Sequence, residues 1–211
     1  LTFSGTGGSS VLDAIDDVTP KAGLEESWDI ISGADILPGG TGGDDMFTYD
    51  NSSLMDGLTL SASYTPSDGT SEVESSSDYG LKYTGIEGLT IGAGAGEDNS
   101  AAASIDLTNM YVKYTMDAFS VGYQASEADS ETANADKDFQ AIGLSYAVSE
   151  DLSVSINSST IEFENSSLSD QEATGFGISY TMGSMTLAGT HNSVDNVAGT
   201  STSDISGYEV A

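Results

Sequence analysis

Carboxylates are the most abundant residues in this sequence that could do chemistry. The chain carries 34 Asp and Glu against four Lys and Arg, with one His and no Cys, and its formal net charge is −30. Nucleic acids are bound largely through cationic side chains that contact phosphate, so this balance excludes a nucleic-acid-binding protein. The absence of Cys excludes disulfides, thiolate catalysis and Cys-based metal sites. Any charged partner is therefore expected to be a cation.

Nine of the carboxylates lie in residues 5–45, the one long stretch that lacks strand-like alternation. Three of them, Asp13, Asp16 and Asp17, fall within a short helical pattern of apolar residues. A connection of about forty residues is far longer than an ordinary loop and indicates either a functional segment or disorder. Because the stretch mixes apolar with acidic residues, we interpret it as a functional loop that the rest of the chain holds in place.

Clustered carboxylate oxygens are the ligands that Ca²⁺ prefers. Asp13, Asp16 and Asp17 on one turn, or Asp44 with Asp45, could supply some of them, so a calcium site is a speculative prediction. The spacing is not that of an EF-hand, and residues 39–46 match only one unit of a β-roll that needs stacked repeats. No other cofactor is expected.

Catalytic chemistry has little support in the sequence. His191 is the only histidine, and no candidate nucleophile pattern adjoins it, so a Ser–His pair is not indicated. Glu162 and Glu164 could be imagined as a glycosidase pair, but nothing else supports one. We predict no catalytic residue and expect that the protein is not an enzyme.

The elements that position the acidic loop are strands. After residue 45, apolar residues occupy every second position in segment after segment, which is the strand period, and the template finds about twelve strands. Tight turns centred on residues 56, 87, 117, 150 and 183 recur every 30 to 33 positions and alternate with long acidic, Ser-rich loops. This hairpin repeat predicts one antiparallel up-and-down architecture over residues 1–211, without a domain boundary.

The polar side of these strands is made of small residues and has few of the long charged side chains that cover soluble sheets. We call the alternating hydrophobic positions the apolar face and the positions between them, which are small or polar, the polar face. The polar face includes Thr59, Ser61, Ser63, Lys82, Gly94, Lys113, Gly122, Gln124, Gly143, Ser155, Asn157 and Gly177. Aromatic residues collect at both strand ends, with Tyr64, Tyr79, Tyr123, Phe139 and Phe176 near the long loops. Two such belts and an uncharged apolar face are typical of a transmembrane β-barrel.

One irregularity is expected late in the chain. Ile161 and Phe163 alternate out of phase with Ile156, and Glu162 and Glu164 take the intervening positions. A change of phase within one strand predicts a β-bulge between these residues.

Three consecutive stretches near the start of the chain carry a family resemblance: TFSGTGGSSVLDAIDD, the following strand MFTYDNSS and its partner LTLSASYTP. In these stretches, and in a pattern that extends over the whole chain, the sequence resembles Gram-negative general-diffusion porins of the alphaproteobacterial type. The resemblance implies an all-β transmembrane barrel with residues 5–45 as an inserted, inward-folded constriction loop. It also implies that about twelve of sixteen strands are present, with four strands and the signal peptide absent from the front. The last strand departs from the family in lacking a terminal aromatic residue.

The same resemblance implies a function and a site. The protein is expected to be an outer-membrane homotrimer, in contact with lipid, whose water-filled channel passes cations, other ions and small hydrophilic solutes without turnover. Facing the lumen at the constriction would be the loop acids Asp13, Asp16, Asp17, Glu25, Glu26 and Asp29, with Lys82 and Lys113 on the wall. An acid-rich lumen would favour cations. The alternative is a secreted or surface-attached acidic β-protein, an adhesin or calcium-binding β-roll, whose apolar residues would face a closed core. A soluble salt-adapted β-sandwich enzyme would instead carry its acids on the outer face of the strands.

Overall fold

Twelve β-strands make up nearly all the regular structure of the residues that the computed structural model describes, which are 1–22, 42–67, 69, 74–99 and 103–211. The strands are β1 (Thr2–Ser4), β2 (Met46–Met55), β3 (Leu58–Thr65), β4 (Ser76–Ile86), β5 (Leu89–Asp98), β6 (Ile105–Met116), β7 (Phe119–Ser130), β8 (Lys137–Ala147), β9 (Leu152–Phe163), β10 (Gln171–Met182), β11 (Met185–Asp195) and β12 (Ile205–Val210). Two single 3₁₀ turns, Asp13–Ile15 and Val197–Gly199, accompany them. No helix in the described ranges is long and apolar enough to cross a membrane.

The strands form one sheet in which each strand lies beside the next in the sequence. The predicted tight turns all connect paired strands, and the all-β, antiparallel up-and-down prediction is confirmed. Gly57 shows why such a turn needs glycine: its φ is +78°, and a Cβ there would overlap the backbone of Gly85. The long loops are shorter than predicted, because β6, β7 and β11 continue into the acidic, Ser-rich stretches.

The burial of the strand residues is inverted relative to a soluble protein: hydrophobic side chains are exposed and polar side chains are buried. Large hydrophobic side chains of the apolar face are exposed, among them Ile142, Phe176 and Leu187, which retain 54%, 50% and 53% of their accessible surface. Polar-face residues such as Gln124, Ser155 and Asn157 are buried. A soluble sheet hides its apolar side, whereas a membrane barrel turns that side to lipid. The alternative of a surface-attached β-protein requires apolar residues facing a closed core, and these strands show the reverse.

Two sequence predictions about side-chain direction are wrong. Phe139 does not belong to the aromatic belt, because outward positions on β8 are the even-numbered ones and its ring is 2% exposed on the polar face. The β-bulge expected near Ile161 does not occur between β9 and β10, whose pairing is unbroken from Ile161↔Gln171 to Leu152↔Tyr180. Ile161 instead lies buried on the polar face, and Glu162 takes the outward position beyond the hydrophobic band.

The chain forms two compact units. The described residues of the first fall within Leu1–Asp17, Leu37–Val112 and Ala125–Lys137, and those of the second within Val18–Ile36, Lys113–Gln124 and Asp138–Ala211. In the first, Leu12 packs with Leu107 and Ala128 in a small hydrophobic cluster on the polar face, joined by the partly buried Ile15 and Ile105. In the second, Phe119 and Tyr146 stack with their ring centroids 4.4 Å apart. That residues 1–211 are a single domain stays a prediction.

Candidate pore constriction

The base of the acidic loop is closed by hydrogen bonds. β1 ends at Ser4 and β2 begins at Met46, and residues 23–41 between them lie outside the described residues. That residues 5–45 form an inserted constriction loop stays a prediction. Gly8 and Gly43 exchange backbone hydrogen bonds of 2.8 and 2.9 Å. The Asp44 carboxylate accepts a 2.9 Å hydrogen bond from the Gly7 N–H. These hydrogen bonds join residues 7–8 to residues 43–44, so the two ends of the loop are held together next to the sheet.

A reciprocal cap starts the first turn of the loop. The Ser10 N–H donates to the Asp13 carboxylate at 2.9 Å, and the Asp13 N–H donates to the Ser10 hydroxyl at 3.2 Å. This is the capping-box arrangement, in which two side chains satisfy N–H groups that a short helix leaves open. It explains the 3₁₀ turn at Asp13–Ile15, which the helical pattern of the sequence predicted.

In the first unit, the loop is docked on the polar face of the sheet. The Val11 N–H donates to the Ser63 hydroxyl of β3 at 2.9 Å, and the Asn109 side-chain amide of β6 donates to the carbonyl of Ile15. Leu12, which is 1% exposed, enters the hydrophobic cluster with Leu107. Each contact pairs a buried backbone group or removes apolar surface from water, so together they fix the position of residues 10–15.

Glycines on the polar face make room for this docking. A Cβ at Gly94 would lie 2.7 Å from the Leu12 Cδ2 atom and 3.0 Å from the Ile15 Cδ1 atom, and one at Gly80 would overlap the Val11 side chain. Non-bonded carbon atoms rarely approach this closely, so a larger side chain at either glycine would require the side chains of the loop to shift. The sequence showed these glycines as small residues, but not that the loop lies over them.

In the second unit, the next loop residues are held in the same way. The Val18 N–H donates to the Gln124 side chain of β7 at 3.2 Å, and the Ala22 N–H donates to the Ser155 hydroxyl of β9 at 2.8 Å. Pro20 packs directly over Gly122, where a Cβ would be 2.6 Å from its Cδ atom. Loop residues therefore hydrogen-bond polar-face side chains of β3 and β6 in the first unit and of β7 and β9 in the second.

Three loop carboxylates lie close enough to interact. Burial raises the pKa of Asp16 to about 7, and the negative charges of Asp17 and Asp13 and a hydrogen bond with the Asp17 side chain act in the same direction. A carboxyl surrounded by other carboxylates holds its proton to higher pH because the ionised form is repelled. Asp16 therefore titrates near neutral pH.

The docked loop and the sheet of the first unit border an open cavity of about 330 Å³. Among the described residues, its walls carry one carboxylate, Asp50, and one ammonium, Lys82, both exposed, together with the ring of Tyr111 and hydroxyls that include Ser10 and Ser61. Lys82 thus lies beside the loop, and its role in a constriction stays a prediction. Lys113 is half-buried on the polar face of β6, in the second unit, and is not part of this cavity.

The acids predicted for the constriction have different surroundings. Asp16 and Asp17 interact with each other, Asp13 is used in the cap, and Glu25, Glu26 and Asp29 lie outside the described residues. Asp44 accepts a hydrogen bond from Gly7, and Asp45, the next residue, has a φ of 56°. Across the described ranges, no three such side chains are grouped to hold a metal ion. The calcium site stays a prediction.

Sequence reasoning missed Asp50 and the docking residues. Asp50 alternates with Tyr49 in MFTYDNSS, which places a charge on the polar face, and this signal was present in the sequence. The roles of Ser63, Asn109 and Gln124 depend on contacts with residues 52, 94 and 106 positions away, which no local pattern encodes.

Comparison with known proteins agrees with this geometry. A sequence model of the Gram-negative porin family matches residues 3–199. No curated protein matches the sequence itself.

Among solved structures, the anion-selective porin from Comamonas acidovorans superposes with a TM-score of 0.70 at 12% identity, covering 91% of this chain and 63% of that one. OmpT, an outer membrane protein of Vibrio cholerae, gives 0.69 at 13% identity and covers 97% and 73%, and a trimer form of OmpT is also similar. Rhodopseudomonas blastica porin gives 0.62 at 12% identity and covers 99% and 72%.

At these identities the structures show the fold, which is the porin β-barrel, and the chain spans less than two thirds of the Comamonas porin. The matched residues extend over most of the chain and include ten of the twelve strands, β2 to β11, in full. The chain belongs to the family of Gram-negative porins, which are channel proteins of the outer membrane and not enzymes.

Proposed function

We propose that this chain supplies the wall and constriction of a water-filled channel through which ions and small hydrophilic solutes diffuse passively, with a preference for cations. The observation that carries the proposal is the inverted burial of its strands. A sheet that exposes its apolar residues and turns polar groups inward fits lipid on one side and water on the other.

The acidic loop supports a role in restricting the channel. Residues 10–22 are docked over polar-face glycines, on the side where water and solutes would pass. The hydrogen bonds and the hydrophobic cluster of Leu12 give the loop a fixed place, which a selective constriction needs.

Cation preference follows from the charges of this chain and not from its fold. The similar Comamonas porin is anion-selective, so the architecture serves either sign. Here 34 acids oppose four lysines, and several acids lie on the docked loop. Fixed negative charge in a narrow low-dielectric channel raises the local concentration of cations.

A homotrimer in outer-membrane lipid is the assembly we propose. OmpT, which has a similar fold, has a trimer form. The apolar face of this chain would contact lipid and neighbouring subunits.

The test is the reversal potential of the whole protein in planar bilayers under a KCl gradient. We expect a potential that favours K⁺ and that falls when Asp16 and Asp17 are replaced by Asn together. Asp56→Asn, in the tight turn between β2 and β3, removes a charge of the same kind far from the loop along the strand and is expected to leave the potential unchanged.

A potential that favours chloride in the unmodified protein would contradict the cation preference and leave the channel standing. Failure of the folded protein to conduct would contradict the channel itself. An equal effect of the loop and turn substitutions would place the constriction elsewhere.

A further inference from the structure

We infer that the cavity between the docked loop and strands β2 to β5 is a binding site for small zwitterionic solutes of dipeptide length, which carry one ammonium and one carboxylate at opposite ends. The cavity measures about 330 Å³, which suits a molecule of this size. Its place on the permeation path rests on the proposed function, but the binding itself can be measured independently.

The two charges of the cavity stand on opposite sides of one strand. Asp50 of β2 pairs with Ser61 of β3, and Lys82 of β4 pairs with Thr59 of the same strand. Two strand spacings and a two-residue offset separate their Cα atoms by about 12 Å. The long lysine side chain shortens the gap between the charged groups, so the pair can bracket a molecule whose own charges lie about 7 Å apart, as in a dipeptide.

Both charged groups have capacity to bind a ligand. The Ser61 hydroxyl donates to the Asp50 Oδ1 atom at 2.6 Å, which orients the carboxylate and leaves the Oδ2 atom for a further donor. No hydrogen bond or ion pair joins the Lys82 ammonium to another residue in the part of the chain that the structure describes. Asp50 and Lys82 therefore do not pair with each other. The carboxylate can bind the ammonium group of a ligand, and the Lys82 ammonium can bind its carboxylate.

The rest of the cavity is suited to an uncharged middle portion. The Tyr111 ring lies against Gly92, where a Cβ would overlap it, and so forms an aromatic wall of the cavity. Ser9, Ser10 and Thr48 add polar groups that can bond to a peptide unit. Among the described residues that line the cavity, one positive and one negative group cancel, in a chain whose net charge is −30.

Binding is measured by saturation-transfer NMR on the detergent-solubilised whole protein, with four probes of matched size. They are the zwitterion diglycine, the cation glycylglycinamide, the anion N-acetylglycine and the neutral N-acetylglycinamide. We expect diglycine to have the lowest Kd. Asp50→Asn should weaken diglycine and glycylglycinamide by about threefold, and Lys82→Gln should weaken diglycine and N-acetylglycine by a similar factor, as expected for exposed ion pairs.

A charge swap distinguishes ligand binding from a structural role of these residues. A zwitterion can turn around, so D50K/K82D is expected to bind diglycine more tightly than either D50K or K82D alone. Asp56→Asn in a tight turn and Lys137→Gln at the start of β8 remove equal charges outside the cavity and serve as controls.

The inference is overturned if diglycine binds no better than N-acetylglycinamide, or if the swapped variant binds no better than the single reversals. Conductance of the unmodified protein is recorded separately. If the protein conducts but does not prefer diglycine, the binding site is contradicted and the channel is not. If the protein binds diglycine but does not conduct, the channel is contradicted and the binding site is not.

Discussion

Leu12 is the residue whose removal should most directly release the acidic loop. Its side chain is 1% exposed and packs with Leu107 and Ala128 on the polar face of the sheet. Truncating a fully buried Leu to Ala costs about 3 kcal/mol, which corresponds to roughly a hundredfold change in an equilibrium constant. The hydrogen bonds of Val11, Ile15, Val18 and Ala22 with side chains of the sheet remain, each contributing about 1 kcal/mol. We expect Leu12→Ala to raise the population of undocked loop by up to that factor.

Trypsin provides the assay, because Lys21 is the only Lys or Arg in residues 5–45. In the docked loop Ala22, which follows the cleavage site, is buried and its N–H is bonded to Ser155. Cleavage after Lys21 therefore requires opening, and its rate reports the open population when reclosing is fast. Leu60→Ala, on the apolar face of β3, is the control. A cleavage rate within twofold of the unmodified protein would contradict the expectation that Leu12 holds the loop as far as Lys21, and would show that the contacts of Val18 and Ala22 are sufficient there.

The loop and its sheet lead to three further predictions. Because Asp16 has a pKa of about 7, it is uncharged at acid pH and gains a negative charge as the pH rises. K⁺ selectivity should therefore increase between about pH 6 and pH 8, and Asp16→Asn should abolish that increase. A reversal potential that does not change with pH would contradict this prediction. Gly94→Val should press on Leu12 and accelerate cleavage at Lys21 by roughly tenfold, and an unchanged rate would show that the loop yields without undocking. Leu144→Lys on the apolar face should lower the free energy of unfolding in lipid by about 2 kcal/mol or more, whereas Ser145→Lys on the polar face should change it little. The free energies are measured by urea titration, and equal effects of the two substitutions would contradict the assignment of faces.

Most of the fold could be predicted from the sequence because the strand period and the tight turns are local signals. Ile142 and Leu144 alternate with Gly143 and Ser145, and this pattern alone identifies a strand with one apolar side. Phe139 shows where this reasoning fails. Its residue type suggests the aromatic belt, although its odd position puts it on the polar face of β8.

The site was predicted less completely, because it depends on contacts between distant residues. The acids of the loop and Lys82 could be selected by charge and alternation. That Val11 would bond Ser63, or that Asn109 would bond Ile15, depends on how the loop lies over the sheet. The glycines beneath the loop, such as Gly94, are encoded as small residues, and only the folded chain shows what they accommodate.

Which face of the sheet meets water is the question that decides whether the protein is a channel. The chain contains no Cys, so single cysteines can be introduced without a background. Thr59→Cys on the polar face and Leu60→Cys on the apolar face are adjacent on β3. In planar bilayers, a charged, membrane-impermeant thiol reagent should react with Thr59→Cys and lower the single-channel conductance, and should leave Leu60→Cys unchanged. Reaction at Leu60→Cys with protection of Thr59→Cys would contradict the proposed channel.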